Sequence, residues 1–326
     1  MILLAIVTTL LLEQVWPLAP RNPVLDALRH WAQAVARNVD AGAPQHAWLA
    51  WTLAVLGPTL AVALVHVALT WLAGWPLALL WTIAVLYVSL GFRQFSHHFV
   101  AIRDALEVGD EERARQLLAR WQQVDESSIA RGELMRLVLE HSVLAAHRHV
   151  FGVMLWFCLL EVVGLGPAGA VFYRQAGALA RDWRASGSSS SDASVSAALA
   201  DVTQAAWAWI DWLPARCTAL ALAIVGSFED AIDAWRRHAD RFGNANDGVI
   251  LAAAAGAVGV RLGAMPARAA PGQPLGEVAL GTSPDDALPG EAPSVLHFAR
   301  VVGLVWRMVA LWLLLLALLT VAHVLG

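Results

Sequence analysis

Apolar residues in this chain fall in long unbroken runs separated by short polar stretches, and the runs have the length of membrane helices. A helix needs ~20 mostly apolar residues to cross the hydrocarbon core of a bilayer. The stretches that come closest are Trp48 to Ala73, Trp75 to Phe92, Val150 to Phe172, Trp207 to Phe228 and Phe298 to Leu325. The last contains Leu311-Trp312-Leu313-Leu314-Leu315-Leu316-Ala317-Leu318-Leu319 without a polar interruption. Ile2 to Leu12 is shorter and lacks both a basic leader and a small-residue cleavage site, so it reads as an uncleaved membrane helix. The predicted fold class is all-α: a polytopic integral membrane protein with amphipathic cytoplasmic helices.

Between the spans the period changes. Residues 99 to 147 predict two amphipathic helices. One carries Ala114, Leu117, Leu118 and Trp121 on a stripe, with Glu111 four residues before Arg115; Gly109-Asp110 supplies its start. The other carries Leu134, Leu137, Val138, His141 and Leu144, with Arg136 four residues before Glu140. The serine-rich stretch 186–196 has linker composition, and residues 265 to 293 are rich in proline and glycine. The organisation expected from this pass is N-terminal membrane helices over 1–92, cytoplasmic amphipathic helices over 93–149, and a central membrane or re-entrant region over 150–264. A loop over 265–297 and a C-terminal transmembrane helix over 298–326 complete it.

Composition narrows the class. The chain is 58% hydrophobic and 15% charged, too apolar for an ordinary soluble domain. Its net charge of -4 argues against nucleic acid as a partner; the bilayer is the expected one, with a membrane or cytoplasmic protein as a further candidate. All 22 basic residues are arginine. Eight of them lie between Arg93 and Arg148, and Arg21, Arg29 and Arg37 lie in the preceding loop. If Trp48–Ala73 and Trp75–Phe92 form a hairpin at Gly74-Trp75-Pro76, both loops share one side, which the positive-inside tendency makes cytoplasmic. That places a multi-pass protein in a bacterial inner membrane. Gly164, Gly166, Pro167 and Gly169 favour a break in Val150–Phe172 over a full crossing. Tryptophans 48, 51, 71, 75, 207, 209, 212 and 306 mark span edges, as interfacial anchors or as core residues. Cys158 and Cys217 lie in apolar stretches and imply no disulfide framework.

Candidate chemistry is sparse. His141, His147 and His149, with His97-His98 upstream, lack the i,i+4 spacing of a helical metal pair, and no metal site is predicted. Glu133, Glu140 and His147 recur every seven residues, a stripe suited to acid–base work or to a solvated polar face. Glu13, His66, Glu161, Arg216, Arg307 and His323 are ionisable groups within or beside apolar runs, where charge is costly unless paired or used. Arg216 is a candidate partner for Glu161. In the run Trp209-Ile210-Asp211-Trp212-Leu213-Pro214-Ala215-Arg216 an acid, a proline and an arginine meet where the chain enters an apolar stretch. The catalytic candidates are Asp211, Glu140 and His147; the anion-binding candidates are Arg216, Asn246 and Arg261. In a blander reading Arg216 only anchors its helix to Asp211.

Asp211-x-x-Pro214-x-Arg216, together with the stretch Asn246-Asp247-Gly248-Val249-Ile250-Leu251 through Val260-Arg261-Leu262-Gly263, resembles the CobD/CbiB family of cobalamin biosynthesis. Asn22-Pro23, where the family has His-Pro, and Gly109-Asp110 followed by Ala114-Arg115 extend the likeness. The resemblance implies a membrane protein that joins an aminopropanol phosphate to adenosylcobyric acid, a corrinoid substrate. Several positions depart from the family's pattern. Ala145-Ala146-His147-Arg148-His149 replaces an acidic stretch, Tyr173-Arg174-Gln175-Ala176-Gly177-Ala178-Leu179-Ala180 lacks the family's Asn and Asp, and Leu251 stands where the family has Glu. Amide formation between anionic partners needs placed acids, amides or a metal. These departures are similar to those of the AmpE-like branch and point to a membrane sensor or signalling modulator. The alternative is an active synthase in which Asp211, Arg216 and Asn246 contact anionic substrate.

Overall fold

The apolar runs become helices, and the polar breaks between them become caps and turns. The computed structural model describes residues 2–16, 22–122, 133–188, 195–263 and 290–325. Arg21, most of the serine-rich linker, most of the proline- and glycine-rich loop, and the side chains of His97, His98 and His323 lie outside the described residues. In chain order the helices are α1 (Ile2–Val15), α2 (Pro23–Val39), α3 (Pro44–Ala73), α4 (Trp75–Ser89), α5 (Phe92–Glu107), α6 (Glu111–Gln122) and α7 (Leu134–Ala146). After a π-helical turn, His147–Phe151, come α8 (Gly152–Val162), α9 (Ala168–Ser188), α10 (Ala197–Ile210), α11 (Trp212–Val225), α12 (Phe228–His238), α13 (Ala245–Val258) and α14 (Val295–Leu325). Among the described residues the only extended pairing is one parallel bridge, Val260 to Glu291. The fold is all-α.

Pro44–Ala73, Leu134–Val162 and Val295–Ala322 are long and apolar enough to cross a membrane, and α10 with α11 forms a fourth, bent candidate. The boundaries differ from the sequence expectation in three places. The second amphipathic helix and the span expected from Val150 are one continuous helix, because no breaker separates Leu134 from Val162 and the π turn absorbs Arg148 and His149. The break falls after Val162, where Gly164 (φ +79°) and Gly166 (φ +61°) adopt a backbone open to glycine. The helix expected from Trp75 to Phe92 ends at Ser89; its 15 residues span about 22 Å, short of the ~30 Å core. The stretch expected from Trp207 is interrupted at Asp211 by a 43° bend.

The described chain divides into two compact units that interleave along the sequence. The first comprises 1–95, 146–214 and 313–326; the second comprises 96–145 and 215–312. In the first unit α3 packs on α2, α4, α9 and α10, while α9 also packs on α4 and α8. Proline decides one of these contacts. Pro58 inside α3 has no N–H for the carbonyl of Ala54, and Gln175 of α9 donates to that oxygen at 3.5 Å. Close approach decides another: a Cβ on Gly169 would lie 1.9 Å from the Trp156 carbonyl oxygen, so α8 and α9 cross at that glycine. The start of α10 is tied to the end of α2. Ser196 caps α10 through Leu199 N (3.1 Å), while its own N–H and hydroxyl donate to the Asp40 carboxylate, each at 2.8 Å.

In the second unit α12 and α13 pack tightly through small residues. A Cβ on Gly256 would come within 2.2 Å of the Asp230 carbonyl oxygen, and one on Gly248, eight residues earlier, within 2.2 Å of the Ala239 oxygen. Asp110 starts α6 as expected, accepting from Arg113 N at 3.0 Å. Of the edge tryptophans, Trp48, Trp71, Trp75, Trp209, Trp212 and Trp306 are exposed, as interfacial anchors would be; Trp51 and Trp207 are core residues. Both cysteines are free thiols.

Candidate functional site

Two polar clusters are built from the candidate residues, one in each unit. The cluster in the first unit begins at the π turn. The wider i→i+5 ring is characteristic of local register shifts at functional positions, and here it carries His147 at its first residue. Tyr173 projects from α9, and its ring can reach this place because Gly152 has no side chain: a Cβ there would sit 2.2 Å from the phenol. Asp211 closes α10, its N–H bonded to the Trp207 carbonyl at 2.9 Å. The three meet at one carboxylate oxygen. Tyr173 Oη donates to Asp211 Oδ1 at 2.7 Å and His147 Nε2 lies 2.9 Å from the same atom. The phenol and imidazole are 3.3 Å apart, and the Trp207 ring packs 5.0 Å from the Tyr173 ring.

This cluster is dry. His147 and Asp211 have 0% exposure and Tyr173 has 1%. Asp211 Oδ2 has no hydrogen-bond partner. A buried carboxylate is tolerated only when paired and hydrogen-bonded, so both donors on Oδ1 matter for folding. Burial raises the ionisation of Tyr173 well above the ordinary phenol range, and the neighbouring Asp211 carboxylate raises it further. Tyr173 is therefore a neutral donor at physiological pH. Nearby, Arg174 Nη1 donates to His149 Nδ1 at 2.7 Å, which makes Nδ1 the unprotonated ring nitrogen.

The cluster in the second unit centres on the start of α13. Asn244 caps that helix, its Oδ1 accepting from Asn246 N (3.0 Å) and Asp247 N (3.4 Å). Arg216 Nη1, from α11, donates to Asn246 Oδ1 at 3.2 Å. Asn246 is 5% exposed, whereas Arg216 is half-buried. A guanidinium beside an amide at a helix start suits a phosphate or carboxylate. Glu140 lies elsewhere in this unit: its Oε1 accepts from Arg136 Nη1 (2.8 Å) and Gly263 N (2.7 Å). Arg261 is exposed and takes part in the bridge region, its N–H bonded to Glu291 O at 2.8 Å and its Nη2 to Gly290 O at 3.2 Å.

The expected stripe of Glu133, Glu140 and His147 separates into different partnerships. Both acids pair with Arg136, Glu133 at 3.1 Å, while His147 pairs with Asp211. Asp211 does not anchor Arg216, since its carboxylate bonds to His147 and Tyr173. Glu161 is not paired with Arg216 either; its Oε2 is buried without a hydrogen-bond partner. Among the described residues no group of three or more His, Cys, Asp or Glu is placed to hold a metal ion. Sequence reasoning passed over Tyr173 as a functional group, and with it Gly152 and Trp156. Tyr173 is one of only two tyrosines, in an apolar setting where its hydroxyl requires a partner, and that was the available signal.

Residues 2–275 match the protein family described as CobD/Cbib protein. A relative from Stutzerimonas stutzeri, named cobalamin biosynthesis protein CobD, is 29% identical over 326 residues, covering 97% of each chain. One from Chromobacterium violaceum, with the same name, is 32% identical over 266 residues, covering 78% of this chain and 79% of the relative. No solved structure matches.

Proposed function

The chain belongs to the CobD/CbiB family of cobalamin-biosynthesis membrane proteins, and from that premise we propose that it is an active multi-pass inner-membrane synthase. Its reaction joins an aminopropanol phosphate to the carboxylate of adenosylcobyric acid. The amine nitrogen forms a C–N bond with the carboxyl carbon, one carboxylate oxygen leaves, and a proton leaves the nitrogen. Activation of that oxygen requires a phosphoryl donor of the nucleoside triphosphate class. The single observation that carries the site assignment is the Arg216–Asn246 pair at the start of α13. Arg216 offers a forked cation to the substrate phosphate, and Asn246 holds the fork in place.

The relatives support synthesis over signalling. Both carry the name of a cobalamin biosynthesis protein, one of them along nearly the full length of this chain. The AmpE-like signalling reading draws no support from them. The departures over residues 145–149 and 176–180 and at Leu251 leave both Arg216 and Asn246 in place. The arginine-bearing loops face the cytoplasm in this reading, where both substrates are soluble.

Complementation tests the proposal. A strain lacking the aminopropanol-attachment step is given this chain and scored for cobalamin-dependent growth. Growth restored by the wild-type chain and lost with Arg216→Ala is the expected result. Absence of rescue by a chain detected in the membrane fraction overturns the synthase reading.

A further inference from the structure

One residue holds the first turn of α13. The opening N–H groups of a helix have no acceptor within it and must find one outside. In α13 those of Asn246 and Asp247 both go to Asn244 Oδ1, at 3.0 and 3.4 Å. The Asn244 carbonyl accepts the first bond of the helix itself, from Gly248 N at 2.8 Å. Its backbone is extended (φ -127°, ψ 124°), the conformation of a helix cap. The cap is also held from behind. A Cβ on Gly248 would meet the Ala239 carbonyl oxygen at 2.2 Å and Phe242 Cβ at 3.1 Å, so the preceding turn packs on bare helix backbone. Phe242 N closes that turn onto Ala239 O at 3.4 Å. All of these residues, and Arg216 with them, belong to the second unit.

A phosphate at a helix start is ordinarily met by backbone N–H groups. Here the N–H groups of Asn246 and Asp247 are spent on Asn244, so recognition falls to side chains. Asn246 is 5% exposed and turns its Oδ1 to Arg216 Nη1 at 3.2 Å. An amide oxygen accepts and cannot donate, so at this contact Asn246 orients the cation and offers nothing to an anion. We propose that Asn244 is a positioning residue: by capping α13 it sets Asn246, and through Asn246 the guanidinium of Arg216 that receives the substrate phosphate. The identity of that anion rests on the synthase reading; the cap does not. Asn244 touches no substrate, and its effect passes through Arg216 alone.

The test uses the full-length chain in membranes supplied with adenosylcobyric acid, aminopropanol phosphate and ATP. Asn244→Ala is expected to raise KM for aminopropanol phosphate about fivefold with kcat within about twofold. Asn244→Ser keeps a capping oxygen and should bring KM to within about twofold of wild type. Once the arginine is gone nothing is left to position, so Asn244→Ala in an Arg216→Ala chain should change KM by less than about twofold. A cap with a merely structural role would instead lower the amount of folded protein in both backgrounds and leave KM alone. Wild-type KM in Asn244→Ala overturns the proposal, as does the full fivefold loss in the Arg216→Ala background or a serine variant as weak as alanine. Binding without turnover separates this proposal from the synthase reading. Aminopropanol phosphate should raise the unfolding midpoint of the detergent-solubilised wild-type and Asn244→Ser chains more than that of Asn244→Ala. That pattern without amide formation sinks the synthase reading and retains the positioning role. No shift in any chain, with no amide formed, overturns both. Should Asn244→Ala fail to insert, Asn244→Gly, which lacks the oxygen but suits a cap backbone, takes its place.

Discussion

Tyr173 Oη donates to Asp211 Oδ1 at 2.7 Å in an interior from which water is excluded, and the pair ties α9 to the end of α10. The bond requires a neutral phenol, and burial followed by the Asp211 charge holds the phenol neutral to well above its usual range. The linkage has a definite sign. As pH rises past ~10 the unfolded chain loses this proton and the folded chain keeps it, so the folded state becomes the one with more protons and stability falls with pH, by up to ~1.4 kcal/mol per unit. The chain has no lysine and only two tyrosines, but Arg174, which burial holds down to about 10, titrates in the same range with the opposite sign, so the difference between wild type and Tyr173→Phe isolates the phenol. Thermal unfolding in detergent above pH ~10 should show stability falling more with pH in the wild-type chain than in Tyr173→Phe. An equal slope in the variant contradicts the assignment.

Tyr173→Phe also removes one of two donors from a buried carboxylate. The expected cost at neutral pH is about 1–3 kcal/mol, the penalty of an under-satisfied buried polar group. His147→Phe removes the other donor and should cost at least as much. Unfolding midpoints at pH 7 check both.

Glycine packing gives a second kind of prediction. A methyl at position 152 meets the Tyr173 ring at 2.2 Å and one at position 256 meets the Asp230 carbonyl oxygen at 2.2 Å. Both residues are helical, so alanine fits the local backbone and the entire cost is steric. Gly152→Ala and Gly256→Ala should each destabilise by about 1–3 kcal/mol, as overpacking does. Gly303, with nothing near a Cβ, is the control, and Gly303→Ala should be neutral or slightly stabilising. Retained folded fraction after heating membranes distinguishes the three.

Much of the helical framework was legible because length and apolar content alone mark a span. Pro44–Ala73 and Val295–Leu325 were located within a few residues, and the Gly164–Pro167 break was visible in its glycines and proline. The continuous helix through His147 was not, since Arg148 and His149 look like a boundary until a π turn accommodates them. The candidate site was legible only as residues. His147 and Asp211 lie 64 positions apart, and no spacing rule connects them. Periodicity had linked His147 to Glu140, seven residues away, because a local repeat is all that a sequence displays. Tyr173 escaped for the same reason: its role depends on α9 crossing α8 at a glycine.

Arg216 and Asn246 furnish a charge-specific prediction. If Arg216 binds phosphate as a fork, lysine cannot replace it, because a point charge offers neither the planar geometry nor the same bond to Asn246. Arg216→Lys should lose at least ~tenfold in kcat/KM, with Arg216→Ala lower still. Asn246→Asp keeps the shape, adds an acid beside the cation and should weaken phosphate binding; Asn246→Ala should act more mildly. Cobalamin-dependent growth and the KM for aminopropanol phosphate read this order, and equal activity of the lysine variant removes the fork from the mechanism.

Pro214 and Trp156 should be energetically coupled. Pro214 withholds an N–H from Ile210 O, and Trp156 Nε1 supplies one at 3.1 Å. In the wild-type background Trp156→Phe leaves that carbonyl without its donor, at a cost of about 1–3 kcal/mol beyond the loss of packing. Pro214→Ala restores a backbone N–H at the position from which a regular helix would bond Ile210. In that background Trp156→Phe should cost less, because the carbonyl has a second donor available. A double-mutant cycle measured by unfolding in detergent is expected to give a coupling of about 0.5–3 kcal/mol, with the double variant more stable than the sum of the singles. Additive effects would mean that the tryptophan contributes packing alone and that the proline shapes the break without its help.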